Sequence, residues 1–302
     1  MIPFVSMTPF AYGRVDALSP RIQRVIANNP GPFTFTGTGT YIVGRARPGA
    51  KVAVIDPGPL DDAHLAALLT AVEGRSVSHV LVTHTHRDHA PLAHPFAAAV
   101  GAPVLAARPP VRTIHASGTP DEDEDEDETF APDVVLGGGE IIEGDGWTLE
   151  ALATPGHASN HLAFALREEN ALFTGDHVMG WSTTVVAPPD GDMGAYLDSL
   201  DRVIARNFTT LWPTHGAPVT EPAPFLAAYK AHRLAREAQI LARVAAGDRR
   251  IPEIVPNLYA AVDPRLWPAA SLSVWAHLIA LEATGRVVAR PGPSIDAEWT
   301  PA

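Results

Sequence analysis

The sequence predicts an α/β sandwich followed by a small helical domain. Three observations carry this prediction. Short apolar runs alternate with helical stretches through about residue 215. Several of those runs end in a turn and then one ligand-capable residue. From Pro224 the texture changes to long helical segments. The expected division is 1–221 for the larger domain and 222–302 for the smaller. The 302 residues are enough for both.

Residues 33–56 hold Thr/Gly-rich turns between Tyr41-Ile42-Val43 and Val52–Ile55, which read as paired strands closing on Asp56-Pro57-Gly58. Asp61 to Val72 has the Ala/Leu spacing of a half-buried helix, with Asp61 as its cap. Val77 to Val82 reads as a buried strand, Pro91 to Val100 as a short helix, and Pro103 to Ala106 as a strand. Strands are expected at Glu140–Glu143, Trp147–Ala153, His161–Leu166 and Ala171–Thr174. Phe225 to Ala246 is a long helix that stops at Gly247. Pro252–Ala261 and Leu266–Thr284 are further helices, and Arg286–Val288 is a short strand of a hairpin.

Composition narrows the function classes. Hydrophobic residues make up 46% and charged residues 19%, which permits a sizeable core. No apolar run approaches the roughly 20 residues that cross a bilayer, so no membrane partner is expected. The N-terminus lacks the pattern of a signal peptide, and the cytoplasm is the expected location. There is no cysteine, so any metal must be held by His, Asp or Glu. The net charge is −12, but Asp121 to Glu128 is an unbroken run of eight acids. That run reads as a solvated, disordered loop at about 117–130. Without it, 22 basic side chains face 26 acidic ones, and neither balance is the basic footprint of a phosphate-backbone binder.

The chemistry is concentrated in Thr83-His84-Thr85-His86-Arg87-Asp88-His89. Three imidazoles and a carboxylate follow directly on a buried strand, a pattern that suits an open, catalytic zinc site. Three single positions join them: His157 after Thr154-Pro155-Gly156, Asp176 after Leu172-Phe173-Thr174-Gly175, and His215 after Leu211-Trp212-Pro213-Thr214. Together they offer five imidazoles and two carboxylates, enough for two zinc ions and a shared ligand. Asp56 is either a turn residue or an acceptor that orients the histidine loop from behind. His161 is a candidate to support a ligand from behind or to act as leaving-group acid. His177, Trp181, Thr183 and Thr184 are candidates to face the substrate. His64, His79, His94, His115, His232 and His277 are read as structural.

These residues resemble the metallo-β-lactamase superfamily, whose His-x-His-x-Asp-His signature is met by His84, His86, Asp88 and His89. His157, Asp176 and His215 match the later ligands in order. The resemblance implies an αββα sandwich over about 33–220. It also implies one zinc on His84, His86 and His157, a second on Asp88, His89 and His215, and Asp176 bridging them. Thr154–His161, Leu172–Gly180 and Ser182–Val185 are similar to the beta-lactamase-like protein 2 branch, which carries a winged-helix-like C-terminal domain. Thr214 stands where the family usually has Gly, and the acidic run is an insertion.

The expected mechanism is that of a metal-dependent hydrolase. Two zinc ions bring a bridging water toward a pKa of about 7, and the hydroxide attacks an ester, thioester or lactone-like carbonyl. Asp88 orients the hydroxide or carries its proton. A small-molecule substrate is the expected partner. Single-strand RNA is the alternative, with the electrophile a phosphodiester and Arg233, Arg236, Arg243, Arg249 and Arg250 as basic groups on the tail; a solvated helix face is the plainer account of those arginines. A non-catalytic binding protein is a further alternative, against which the intact ligand set argues. A single-iron redox enzyme is the last, and a complete second ligand set argues against it.

Overall fold

The computed structural model describes residues 1–109 and 130–302. The acidic run and His115 therefore lie outside the described residues.

Two mixed sheets pack face to face with helices on both outer faces. The first sheet has seven strands in sequential order: β1 (Val15–Ala17), β2 (Ile22–Ile26), β3 (Gly39–Val43), β4 (Lys51–Ile55), β5 (Ser76–Leu81), β6 (Val104–Ala106) and β7 (Val134–Val135). β1 to β4 pair antiparallel, and β4 to β7 pair parallel. The parallel part needs crossovers, and two are helical: α1 (Asp62–Ala71) between β4 and β5, and α2 (Ala93–Val100) between β5 and β6. As expected, Asp61 caps α1 by accepting from the His64 N–H. The second sheet runs β12 (Thr210–Pro213), β11 (Ala171–Gly175), β10 (Leu162–Leu166), β9 (Thr148–Ala153) and β8 (Ile141–Glu143). Its β11-to-β12 crossover is α3 (Met193–Ala205).

The pleat sorts side chains into layers. Along β4, Ala53 and Ile55 face the other sheet, while Val52 and Val54 face α1 and α2. Along β10, Leu162, Phe164 and Leu166 enter the inter-sheet core with Tyr41, Phe173 and Trp212. Ala163 and Ala165 face Tyr196, Leu200 and Val203 of α3. Both central strands are buried on both faces, which explains their continuous apolar runs.

The tail holds α4 (Pro222–Ala246), α5 (Ile251–Leu258), α6 (Trp267–Ala283) and a hairpin of β13 (Val287–Arg290) and β14 (Glu298–Pro301). α4 ends at Gly247 with φ 113°, the stop expected from the sequence. It serves two cores. Phe225, Leu226 and Tyr229 pack with α3, while Ile240 and Val244 join Ile254, Val274, Leu278 and Trp299. Among the described residues no helix is long and apolar enough to cross a membrane.

Candidate metal centre

Five strands end at one edge of the sandwich, and each hands over a polar residue there. Asp56 follows β4, the histidine loop follows β5, His157 lies after β9, Asp176 follows β11, and His215 lies two residues beyond β12. Residues at strand ends are held by sheet hydrogen bonds on one side and are free to converge on the other. All seven predicted ligands are buried and meet there.

They form three overlapping groups, two triads and a third, His84, His89 and Asp176, that straddles them. The ligand atoms of His84, His86 and His157 lie within 4.8 Å of one another, as do those of Asp88, His89 and His215. Within the first, His84 Nε2 is 3.0 Å from His86 Nδ1. Within the second, Asp88 Oδ2 is 3.0 Å from His215 Nε2 and 3.3 Å from His89 Nε2. Asp176 stands between them: its oxygens lie 3.9 Å from His157 Nε2, 3.5 Å from His215 Nε2 and 3.6 Å from His89 Nε2.

Ring orientation comes from behind. The far nitrogen of four of the five imidazoles has an acceptor: Asp56 Oδ2 for His89 (2.9 Å), the Val185 carbonyl for His157 (2.7 Å), the Gly37 carbonyl for His215 (3.2 Å) and Thr83 Oγ1 for His84 (3.0 Å). Placing Nδ1–H on each acceptor leaves Nε2 with a lone pair aimed inward. Asp56 is the hub of this support. It accepts the Thr83 N–H and hydroxyl (both 2.8 Å) and the Thr214 hydroxyl (3.0 Å) as well as His89. Its φ of 50° is the left-handed region, which aspartate tolerates better than most residues.

The set fits a divalent cation. Nε2 of His89, Nε2 of His157 and Oδ1 of Asp176 are buried without a hydrogen-bond partner. Three buried polar atoms without partners around one cleft are costly, and a cation would satisfy all three. The metal-free electrostatics divide the centre. Burial, together with neighbouring imidazoles, pushes His84 well below the usual histidine range and His86 down to about 3, so both rings are neutral. Burial also opposes charge on His89 and His215, but Asp88 and Asp176 outweigh it. His89 rises well above its ordinary value, and His215 is pushed up to about 10. In return these imidazoliums hold Asp88 and Asp176 below the usual carboxylate range against the effect of burial. A cation entering the second triad must therefore displace protons.

The pattern of the Metallo-beta-lactamase superfamily matches residues 35–215, six tenths of the chain. The chain belongs to this superfamily. A beta-lactamase associated winged helix domain matches residues 251–299, the part of the tail beyond α4. An atrochrysone carboxyl ACP thioesterase of Aspergillus chevalieri is 34% identical over 231 residues, 75% of this chain and 67% of that protein. The lactamase-like protein adaB of Aspergillus niger is 30% identical over 282 residues, 86% and 81% of the two chains. Among solved structures, a beta-lactamase domain protein from Burkholderia ambifaria superposes with a TM-score of 0.78 at 21% identity, covering 100% of this chain and 97% of that one. A metallo-beta-lactamase family protein from Thermus thermophilus gives 0.74 at 23%, covering 95% and 100%. These likenesses confirm the αββα sandwich with its winged-helix tail.

On this superfamily frame, the other expected site residues fall in different places. Thr214, the departure before the last histidine, spends its hydroxyl on Asp56. His161 does not offer a free proton: Nδ1 is bonded to Thr154 Oγ1 (2.8 Å), and Nε2 accepts the Asp176 N–H (3.1 Å). Both nitrogens are engaged, so the ring can orient Asp176 but has no proton to spare for a leaving group. His177 is fully buried against Tyr196, and Thr184 is buried with its hydroxyl 2.8 Å from the Asp176 carbonyl. Trp181 and Thr183 are partly exposed. Trp181 stacks at 4.6 Å on Phe35, a residue the sequence did not single out. Gly175 also has a role visible only in three dimensions. Its φ is 52°, and a Cβ there would lie 2.5 Å from His161 Nε2.

Proposed function

We propose that this metal-dependent hydrolase is a two-zinc thioesterase. His84, His86 and His157 would hold one ion, Asp88, His89 and His215 the other, and Asp176 would be shared. The observation that carries the reading is the pair of buried triads on either side of Asp176, with four of their five imidazoles held from behind. An all-nitrogen-and-oxygen donor set with imidazole dominant suits zinc. Bound there, two such ions supply a water-derived nucleophile at neutral pH and draw electron density from the acyl oxygen.

The chain's own groups do the rest. Asp88 lies at the second triad with a carboxylate oxygen beside two imidazoles, where it takes the proton that the attacking water releases. Water adds its oxygen to the acyl carbon, the carbon–sulfur bond breaks, and the proton ends on the carboxylic acid or the thiol. Thiolate, with a thiol pKa near 8.5, departs with little acid assistance. That matches a site in which His161 has no free nitrogen, and it favours a thioester over an ester or lactone, whose alkoxide is far more basic. The thioesterase relatives support the same class.

The nuclease reading has less to stand on. Arg233 is buried, Arg236 sits over the Tyr259 ring, Arg249 donates to the Val244 carbonyl, and Arg243 and Arg250 pair with Asp248 and Glu298. A phosphate backbone would find few free cations on that face. The narrower likeness to the beta-lactamase-like protein 2 branch rests on the segments quoted above and on the tail, and the division at 221/222 is kept with α4 shared between the two cores.

The test is a zinc-replete hydrolysis screen over acyl-thioesters, lactones, phosphodiesters and short RNAs, with Asp88→Asn as control. Thioester turnover lost in the variant is the expected outcome. Salt-sensitive RNA cleavage with inert thioesters would overturn it.

A further inference from the structure

The stretch Ser182–Val185 ties two of the seven ligands to the C-terminal unit. The Val185 carbonyl accepts from His157 Nδ1 at 2.7 Å. One residue earlier, the Thr184 hydroxyl lies 2.8 Å from the Asp176 carbonyl and 3.1 Å from that of His177. The backbone of this stretch is held by neither sheet. Instead, α4 holds it. The Thr184 N–H donates to the Tyr229 hydroxyl at 2.5 Å, and that hydroxyl lies 3.0 Å from Thr184 Oγ1 and 3.3 Å from the Ser182 carbonyl. The Arg233 guanidinium donates to the Thr184 carbonyl and lies over the Tyr196 and Tyr229 rings, at 5.1 and 5.9 Å.

Arg233 is 4% exposed. Among the described residues no carboxylate pairs with it. Burying a guanidinium without a counter-charge is costly. A greasy residue would close the α3–α4 interface more cheaply. Two buried polar groups, one helical turn apart, meet at Thr184, whose hydroxyl reaches the Asp176 carbonyl and whose neighbour Val185 supplies the carbonyl behind His157, and that placement explains them.

We propose that Tyr229 and Arg233 are positioning residues for the metal centre, acting through the 182–185 stretch on His157 and Asp176. The proposal rests on the two-ion reading above. It makes α4, and through it the core of the C-terminal unit, part of the machinery that sets metal affinity.

The experiment compares wild type, Tyr229→Phe and Arg233→Met, with Arg236→Met as a control on the same helix that does not touch the stretch. Zinc affinity is read by competition with a chromophoric chelator. The His157 and His215 ring N–H groups are followed by histidine-selective ¹⁵N NMR, and the thermal midpoint of the chelated protein is recorded. Outer partners of metal ligands are typically worth about 10- to 100-fold in affinity. The expected result is a loss in that range for Tyr229→Phe and Arg233→Met, with faster solvent exchange of the His157 N–H, an unchanged His215 N–H and a wild-type Arg236→Met. Should Arg233→Met not fold, Tyr229→Phe alone decides, since it removes one oxygen and keeps the ring. Wild-type affinity in Tyr229→Phe, or an equal loss in Arg236→Met, overturns the inference and leaves the two-ion reading intact. A wild-type protein that binds fewer than two zinc ions overturns both.

Discussion

Asp56→Asn probes the support behind the centre with the least collateral change. Asparagine keeps the size of the side chain and tolerates the left-handed φ of 50° at this position. What it cannot do is accept at both ends. Oδ1 takes the Thr83 N–H, while Oδ2 takes His89 Nδ1 and the Thr83 and Thr214 hydroxyls. The two hydroxyls can turn and accept from an amide. The Thr83 N–H and the His89 Nδ1–H cannot, so whichever way the amide is placed, one buried donor faces another donor. Leaving such a donor unsatisfied costs about 1–3 kcal/mol, and the chelated variant should lose that much in urea unfolding. If His89 escapes by moving its proton to Nε2, it loses the lone pair aimed at the second triad. Zinc binding should then weaken by about 10- to 100-fold, which is about 1.4–2.8 kcal/mol at 1.4 kcal/mol per decade. Zinc competition and urea titration measure the two effects separately. A variant matching wild type in both would refute the role given to Asp56.

Other perturbations test different parts of the centre. Asp88→Asn should keep the fold but lose thioester turnover by a factor of about 10² or more, of the order general-base removal typically costs; an active, zinc-replete variant would contradict the proton role. His215, with its pKa pushed up to about 10 by Asp176 and Asp88 against the effect of burial, gives the chelated protein stability that is complete below about pH 6.5 and is lost as pH rises through 10. Urea midpoints of the chelated protein should therefore fall from pH 7 to 10, while zinc, by displacing that proton, should flatten the decline; parallel slopes would count against it. Gly175→Ala places a Cβ at φ 52° and 2.5 Å from His161 Nε2, and should cost about 1–3 kcal/mol of stability and displace the Asp176 N–H from His161; a neutral substitution would refute the close approach.

Much of the site was legible in the sequence because its ligands sit just past strand ends, where an apolar run gives way to one polar residue. The run ending at Leu81 and the histidines after it could be read without a fold. The supporting groups were harder. Thr214 is an ordinary residue until Asp56 is seen 3.0 Å away, 158 residues earlier in the chain. Thr184 and His177 lie next to ligand segments, and proximity in sequence suggested the pocket. In the fold, the Thr184 hydroxyl bonds the Asp176 carbonyl and the His177 ring lies against Tyr196 of α3. Among the strands, β2 escaped notice because Arg24 interrupts its apolar run; the guanidinium is buried and donates to the Gly216 carbonyl at 2.9 Å. α3 was hidden by Gly194 and two aspartates, although Asp192, accepting from the Ala195 N–H, is the capping signal that marks its start. Arg233 read as part of a solvated face because of its charge alone; its spacing from Leu226 and Tyr229 sets it on the buried stripe of α4, against Tyr196 and the 182–185 stretch.

The most direct measurement is metal content with site location: elemental analysis of zinc-replete protein, paired with anomalous diffraction at the zinc edge. Two ions per chain are predicted, one among His84, His86 and His157 and the other among Asp88, His89 and His215, with Asp176 touching both. A single ion, or imidazoles turned away from any ion, would contradict the account.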